Sequence, residues 1–478
     1  MAQAPQNPSA VTTNTDLDHC RILPLRIAHP RRSGLLFESI RLRTIPIVRT
    51  ARYKEAMRHA ERLMVCASRV VTCSEAFAGP QNPLGVIEQG AVLVENGKVV
   101  DVGPYPQLAA TNTPVVGNVQ QGVITPGLID AHTHLVWAGS RHDEYILRMQ
   151  GAGYEAIAAA GGGIVASMRS VRAASLEELA QNLTRRLRRM AALGVTTCEI
   201  KSGYGLSEQS ERKQLEAIRA VASDNSLPAV VPTYLALHAL APEDRPNRAA
   251  WVDEVVERSV PAVARDRLAR FVDAYIDRNA FSVQEAEKLF SAARRVGLGI
   301  RAHVGQFADI GGASLAASMG AASVDHVENV SEAALSELAA ASTVVVLLPL
   351  ASFTLRQQPP PIAAMRKAGV RLAVASDANP GTAPTESLPL ALAFALHTYG
   401  LTPEECLLGA TRYAALSLQI EREVGSLDPG KSADIVLWDL DHEHAILQPW
   451  GSPMTRWVSR SGRVLFDADE RCEHAARC

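Results

Sequence analysis

Between residues 124 and 377 short apolar runs alternate with longer stretches in which apolar residues recur every three or four positions. Apolar runs of this length suit strands buried on both faces, and the 3.6-residue period suits crossover helices, so the alternation predicts a parallel sheet covered by helices. Eight runs stand out: residues 124–132, 195–201, 229–236, 271–277, 299–303, 323–326, 344–348 and 371–377. Amphipathic stretches such as 176–193, 282–296 and 362–368 fall between them. Eight parallel strands with outer helices predict an α/β fold of the TIM (β/α)8 type, which takes about 250 residues.

The flanks follow a different pattern. From about residue 63 to 122 short alternating segments such as Ala91-Val-Leu-Val-Glu-Asn-Gly-Lys-Val-Val-Asp-Val read as hairpins, with Asn96-Gly97 as a tight turn. A similar unit near the other end begins at Gly430-Lys-Ser-Ala-Asp-Ile-Val-Leu-Trp. The two flanks are expected to pair into one small β-sandwich domain, residues 63–123 and 423–478, around a barrel at 124–422. Residues 1–62, rich early on in Arg, Pro and Ser/Thr without a periodic pattern, read as a disordered extension.

Composition narrows the function classes. A formal charge of −2 over 478 residues argues against electrostatic binding to nucleic acid, and no apolar stretch is long enough to span a bilayer. The cysteines at 20, 66, 73, 198, 406, 472 and 478 form no Cys-X-X-Cys pair, which points away from a disulfide framework or thiolate zinc site and toward the cytoplasm.

The candidate chemistry sits at the ends of the strand-like runs. In an extended segment alternate side chains share a face, so His132 and His134 converge and read as two ligands of one metal ion. Other runs end at or near Lys201, Tyr234 with His238 beyond, Asp277, His303, His326 and Asp377. Strand carboxyl ends build the active site in a TIM barrel, and a ring of such residues fits a metal hydrolase better than core packing does. The triple glycine at 161–163 lacks the Gly-Lys-Ser/Thr of a phosphate loop and reads as a flexible active-site loop.

With His-X-His on the first strand, His on the fifth and sixth, and Asp on the eighth, the chain resembles the amidohydrolase superfamily. Longer strings, Asp130-Ala-His-Thr-His-Leu-Val-Trp-Ala-Gly-Ser-Arg141, Ala159-Ala-Gly-Gly-Gly-Ile164, Glu199-Ile-Lys-Ser-Gly-Tyr-Gly-Leu206 and Ser376-Asp-Ala-Asn-Pro-Gly-Thr382, resemble its histidine-degrading branch. That resemblance implies hydrolysis of the cyclic amide of 4-imidazolone-5-propanoate to N-formimino-L-glutamate. It also implies one divalent metal per chain, zinc or iron, on His132, His134, His303 and Asp377. Three imidazoles and a carboxylate suit such a cation. Carried over in the same way, Arg141 grips the substrate carboxylate, Tyr204 and His238 contact the ring, and Asn379, Gly381 and Thr382 bind the propanoate. Asp377 and His326 are the expected proton acceptors, with His238 polarising the carbonyl. Gln306 departs from the pattern, because an amide can hydrogen-bond the ring but cannot act as a carboxylate base. The partners expected are a small-molecule substrate and, by the resemblance, a second copy of the chain. A different cyclic amide and a barrel that has lost its metal are the competing readings.

Overall fold

One glycine divides the first apolar run between two sheets. In the computed structural model, which describes residues 61–109, 113–151, 162–450 and 452–470, β5 (Val123–Pro126) belongs to the flanking sheet and β6 (Leu128–Asp130) opens the barrel. The run at 124–132 is therefore not the single strand expected from its apolarity. At Gly127 between the two strands, a Cβ atom would lie 2.0 Å from Thr196 Oγ1, so only glycine lets the chain pass this close to its neighbour. The extension read at residues 1–62 lies outside the described residues up to position 60, and Arg62 already begins a strand.

The barrel continues through β7 (Val195–Lys201), β8 (Ala229–Leu237), β9 (Phe271–Ile276), β10 (Gly299–Val304), β11 (Ser323–His326), β12 (Val344–Leu347) and β13 (Leu372–Val374). Every neighbouring pair from β6 to β13 is parallel. Past the last strand Asp377 N donates to His132 O at 3.1 Å, and His134 N donates to Ala378 O at 3.0 Å. These bonds join the first strand to the eighth at their carboxyl ends.

Residues of β7, β9, β10 and β11 alternate between two environments. Cys198, Ile200, Val272, Ala274, Ile300, Ala302 and Val324 pack in the core shared with the outer helices. The positions between them, Glu199, Lys201, Asp273, Arg301, His303 and Asp325, are buried and polar. Lower in the barrel the corresponding positions are apolar, including Ile129, Val231, Phe271, Val344, Val346 and Ala373. The barrel interior thus changes from hydrocarbon to charge toward the carboxyl ends.

The flanking strands are β1 (Arg62–Val71), β2 (Val86–Glu95), β3 (Lys98–Pro104), β4 (Val115–Gly117), β14 (Ile435–Trp438), β15 (Thr455–Arg460) and β16 (Arg463–Asp467). Together with β5 they form one hydrogen-bonded sheet ordered β16-β15-β14-β5-β1-β2-β3, with β4 paired to β1. The two ends of the chain meet where β14 runs antiparallel to β5. Asn96 and Gly97 turn β2 into β3 with φ of 50° and 75°, as an Asn-Gly hairpin turn requires. Among the described residues no helix is long and apolar enough to cross a membrane.

Candidate metal centre and active site

Three imidazoles and one carboxylate from distant parts of the chain converge at the mouth of the barrel. His132 and His134 follow β6, His303 ends β10 and Asp377 follows β13. His132 Nδ1 donates to Asp325 Oδ2 at 2.7 Å and His303 Nδ1 to Asp273 Oδ1 at 3.0 Å, which leaves the Nε2 lone pair of each ring for a cation. The Nε2 atoms of His132 and His134 lie 3.3 Å apart, and Asp377 Oδ1 is 3.5 and 3.4 Å from them. His303 Nε2 is buried without a hydrogen-bond partner. Three imidazoles and a carboxylate crowded around one point are the donor set of a divalent metal ion. Burial, and then the crowding of His132, His238 and His303 around it, keep His134 far below its ordinary pKa, so it presents a neutral ring.

Beneath these ligands lies a layer of buried charge. Lys201 Nζ is 2.7 Å from Asp273, 2.9 Å from Glu199 and 3.4 Å from Asp325. Arg301 lies 3.5 Å from Asp325 and 3.6 Å from Glu199 and donates to the carbonyls of Ala131 and Ser417. Burial opposes ionisation of Asp325, but Arg301 and Lys201 outweigh it and hold the carboxyl well below its usual range. Two ligand histidines are thereby oriented by carboxylates that share one lysine. Lys201 stands on the second barrel strand, and the fourth, β9, supplies Asp273 as its partner.

A pocket of about 800 Å³ opens above, lined by every expected site residue except His132 and Gly381. Arg141 follows the ligand loop, whose carbonyls at Leu135 and Trp137 are held by Arg186 at 2.8 and 2.9 Å. The Arg141 guanidinium is not bare. Glu144 takes its Nε at 2.9 Å and its Nη2 at 2.6 Å and also accepts from Gly163 N at 2.8 Å. Its Nη1 lies over Gly381, where a Cβ would be 2.2 Å away. Gly381 is thus the floor on which Arg141 rests.

Tyr204 is placed by a cradle at the start of the helix Glu208–Ala222. Glu211 accepts from the backbone N–H groups of Gly203, Gly205 and Leu206 at 2.6, 2.7 and 2.8 Å, and Gln214 accepts from Tyr204 N at 3.1 Å. Gly203 O in turn receives a proton from His238 Nδ1 at 2.7 Å. Burial, and then the proximity of His303, push His238 down to about 4, so the ring is neutral near pH 7. A neutral ring that donates through Nδ1 offers only a lone pair at Nε2. His238 therefore presents an acceptor to the pocket, not the donor needed to polarise a carbonyl. Gln306 has the opposite polarity: its Oε1 accepts from Tyr275 OH at 2.7 Å, leaving its NH2 as a donor.

Asn379 is occupied with its own turn. Its Oδ1 accepts from Gly381 N and Thr382 N, both at 2.8 Å, while Nδ2 donates to Asp377 O at 2.7 Å and Thr382 Oγ1 at 2.9 Å. The Thr382 hydroxyl keeps its proton for a ligand. His326 lines the pocket from the end of β11. His326, Val327 and Asp377 all have left-handed backbones, with φ of 78°, 64° and 52°. Strain of this kind gathers at functional sites, where the surrounding contacts over-determine it.

The model of the amidohydrolase family matches residues 123–465, which covers both the barrel and the joint with the flanking sheet. The chain belongs to the amidohydrolase family. Relatives named imidazolonepropionase include those of Mesorhizobium japonicum, 41% identical over 80% of this chain and 93% of that one, and Erwinia tasmaniensis, 42% identical over 81% and 94%. Among solved structures, a zinc-bound adenosine deaminase from Xanthomonas campestris shares this amidohydrolase fold with a TM-score of 0.61 and 18% identity, covering 87% of this chain and 96% of that one. Guanine deaminase from E. coli aligns with a TM-score of 0.63 at 15% identity, covering 85% and 99%. Several amidohydrolase site features escaped the sequence reading: the Glu144 partner of Arg141, the Glu211 cradle, Tyr275 and the Asp273/Asp325 pair. Only the last left a readable signal, polar residues at alternate positions toward the carboxyl ends of β7, β9, β10 and β11.

Proposed function

We propose that this amidohydrolase opens the ring of 4-imidazolone-5-propanoate to give N-formimino-L-glutamate, a step of L-histidine catabolism. The observation that carries the reading is the convergence, across one pocket, of a metal donor set and a guanidinium suited to a carboxylate. His132, His134, His303 and Asp377 would hold a divalent ion, which when bound would supply Lewis acidity toward a water and the scissile carbonyl.

The remaining work falls to side chains. Arg141 and the Thr382 hydroxyl hold the propanoate, with Asn379 and Gly381 shaping the turn beneath them. Gln306 donates to the ring carbonyl, and His238 Nε2 accepts from a ring N–H, so the two read opposite polarities of the same ring. Tyr204 packs beside His134 and His238, with ring centroids 5.6 Å from each. As water adds to the carbonyl carbon, its proton passes to His326 or Asp377. The ring C–N bond then breaks, and that proton is delivered to the departing nitrogen. One metal ion per chain, zinc or iron, a homodimer and a cytoplasmic setting complete the reading; the four described cysteines are buried free thiols.

The test is loss of the imidazolone absorbance on adding metal-loaded protein, with a chelator-treated sample beside it. Metal-dependent turnover is expected, with Arg141→Ala lowering kcat/KM about a hundredfold. Turnover unaffected by Arg141→Ala would move the substrate to a ring without a carboxylate, and no turnover despite bound metal would discard this substrate.

A further inference from the structure

Two buried polar atoms near the reaction centre face each other without a hydrogen bond. His326 Nδ1 and Glu328 Oε2 lie 3.9 Å apart, on side chains 4% and 2% exposed, and each lacks a hydrogen-bond partner. An unpaired buried donor or acceptor is costly, and here a small turn of the imidazole would satisfy both at once. The other carboxylate oxygen of Glu328 is already anchored. Ser352 Oγ donates to Oε1, and Tyr399 OH donates to Ser352 Oγ at 2.6 Å. These anchors come from two further elements, the helices Pro349–Leu355 and Leu388–Tyr399. Burial pushes the Tyr399 phenol well above its ordinary pKa, so it stays a donor. The chain Tyr399, Ser352, Glu328 ends at the His326 ring, whose pocket side lines the cavity.

We infer that Glu328 is a positioning residue for this reaction, orienting His326 as its base. The inference rests on the reading of His326 as proton acceptor. Glu328 takes the Nδ1 hydrogen, which leaves a lone pair on the pocket-side nitrogen and holds the ring at one angle. When the water proton arrives at that nitrogen, the imidazolium is paired with a carboxylate already fixed in place. Glu328 gains no proton, and the proton on His326 leaves with the departing ring nitrogen. The arrangement is the base-and-orienter pair found in other proton-transferring sites.

The experiment compares Glu328→Gln, His326→Gln and the double variant as metal-loaded proteins, measuring kcat, KM and bound metal. Glu328→Gln should lower kcat roughly tenfold to a hundredfold, with KM changed less than about threefold and metal content unchanged. In the His326→Gln background it should have no further effect. Undiminished kcat in Glu328→Gln alongside a collapse in His326→Gln overturns the inference but leaves the base where it was placed. Undiminished kcat in His326→Gln removes the base assignment and the inference with it. Equal losses in both backgrounds assign Glu328 a general structural role and also overturn it. If Glu328→Gln does not fold, Tyr399→Phe takes its place: it removes only the last hydroxyl of the chain and should lower kcat several-fold, and an unchanged kcat refutes the inference.

Discussion

Single atoms decide whether the pocket can hold a carboxylate. The Arg141 guanidinium rests where the side chain of residue 381 would otherwise be, because a Cβ on Gly381 would lie 2.2 Å from Nη1. Gly381→Ala should therefore displace the guanidinium and raise KM about tenfold, while kcat at saturation changes less than about threefold. Steady-state kinetics check this, and an unaltered KM would show that the guanidinium does not bind substrate from this position. Arg141 was legible because it sits in a long motif, and His132 and His134 because their spacing is itself a geometric statement. Glu144 and Glu328 were not, since a carboxylate on a surface and one buried beside a functional side chain look alike until the chain folds. The role expected of His238 changed for a similar reason: its polarity is set by the carbonyl of Gly203, 35 residues away in sequence.

At the scale of strands, the polar layer under the metal site is a product of barrel geometry. Lys201, Asp273 and Asp325 come from the second, fourth and sixth strands, and alternate strands of such a barrel contribute to the same interior layer. Lys201 touches no metal ligand, yet it joins the two carboxylates that orient His132 and His303. Lys201→Met leaves buried carboxylates short of a counter-charge. It should cost about 3–5 kcal/mol of stability in urea unfolding. The same variant should also weaken metal retention about tenfold or more in competition with a chromophoric chelator. Wild-type metal retention in a folded Lys201→Met protein would confine the lysine to stability alone. Elements were legible to the residue where a run lay within one strand, as at β7 and β11, which span the expected 195–201 and 323–326. The failure at 124–132 has a clear cause: apolarity reports burial, and β5 and β6 are both buried, but in different sheets.

For the molecule as a whole, the metal donor set ties the start, middle and end of the barrel together through residues 132 and 134, 303 and 377. A ligand bound only by the folded state stabilises it by mass action, about 3–4 kcal/mol at a hundred to a thousand times Kd. Chelated protein should accordingly melt several degrees lower by scanning calorimetry, and zinc or ferrous iron should restore the transition in proportion to the ion added. A melting temperature indifferent to chelation would mean that the ion does not brace the barrel.

The sequence alone determined the class of fold, the polar residues at the strand ends and, through its motifs, the kind of reaction. Those properties are local: burial follows from apolarity, strand and helix from periodicity, and convergence of His132 with His134 from spacing along one extended segment. The tertiary structure decided which groups are partners. It set the tautomers of His132, His303 and His238, committed Asn379 to its own turn and brought Glu328 beside His326. Hydrogen-bond polarity and charge compensation depend on distances between groups far apart in the chain, and those distances exist only once the barrel has closed.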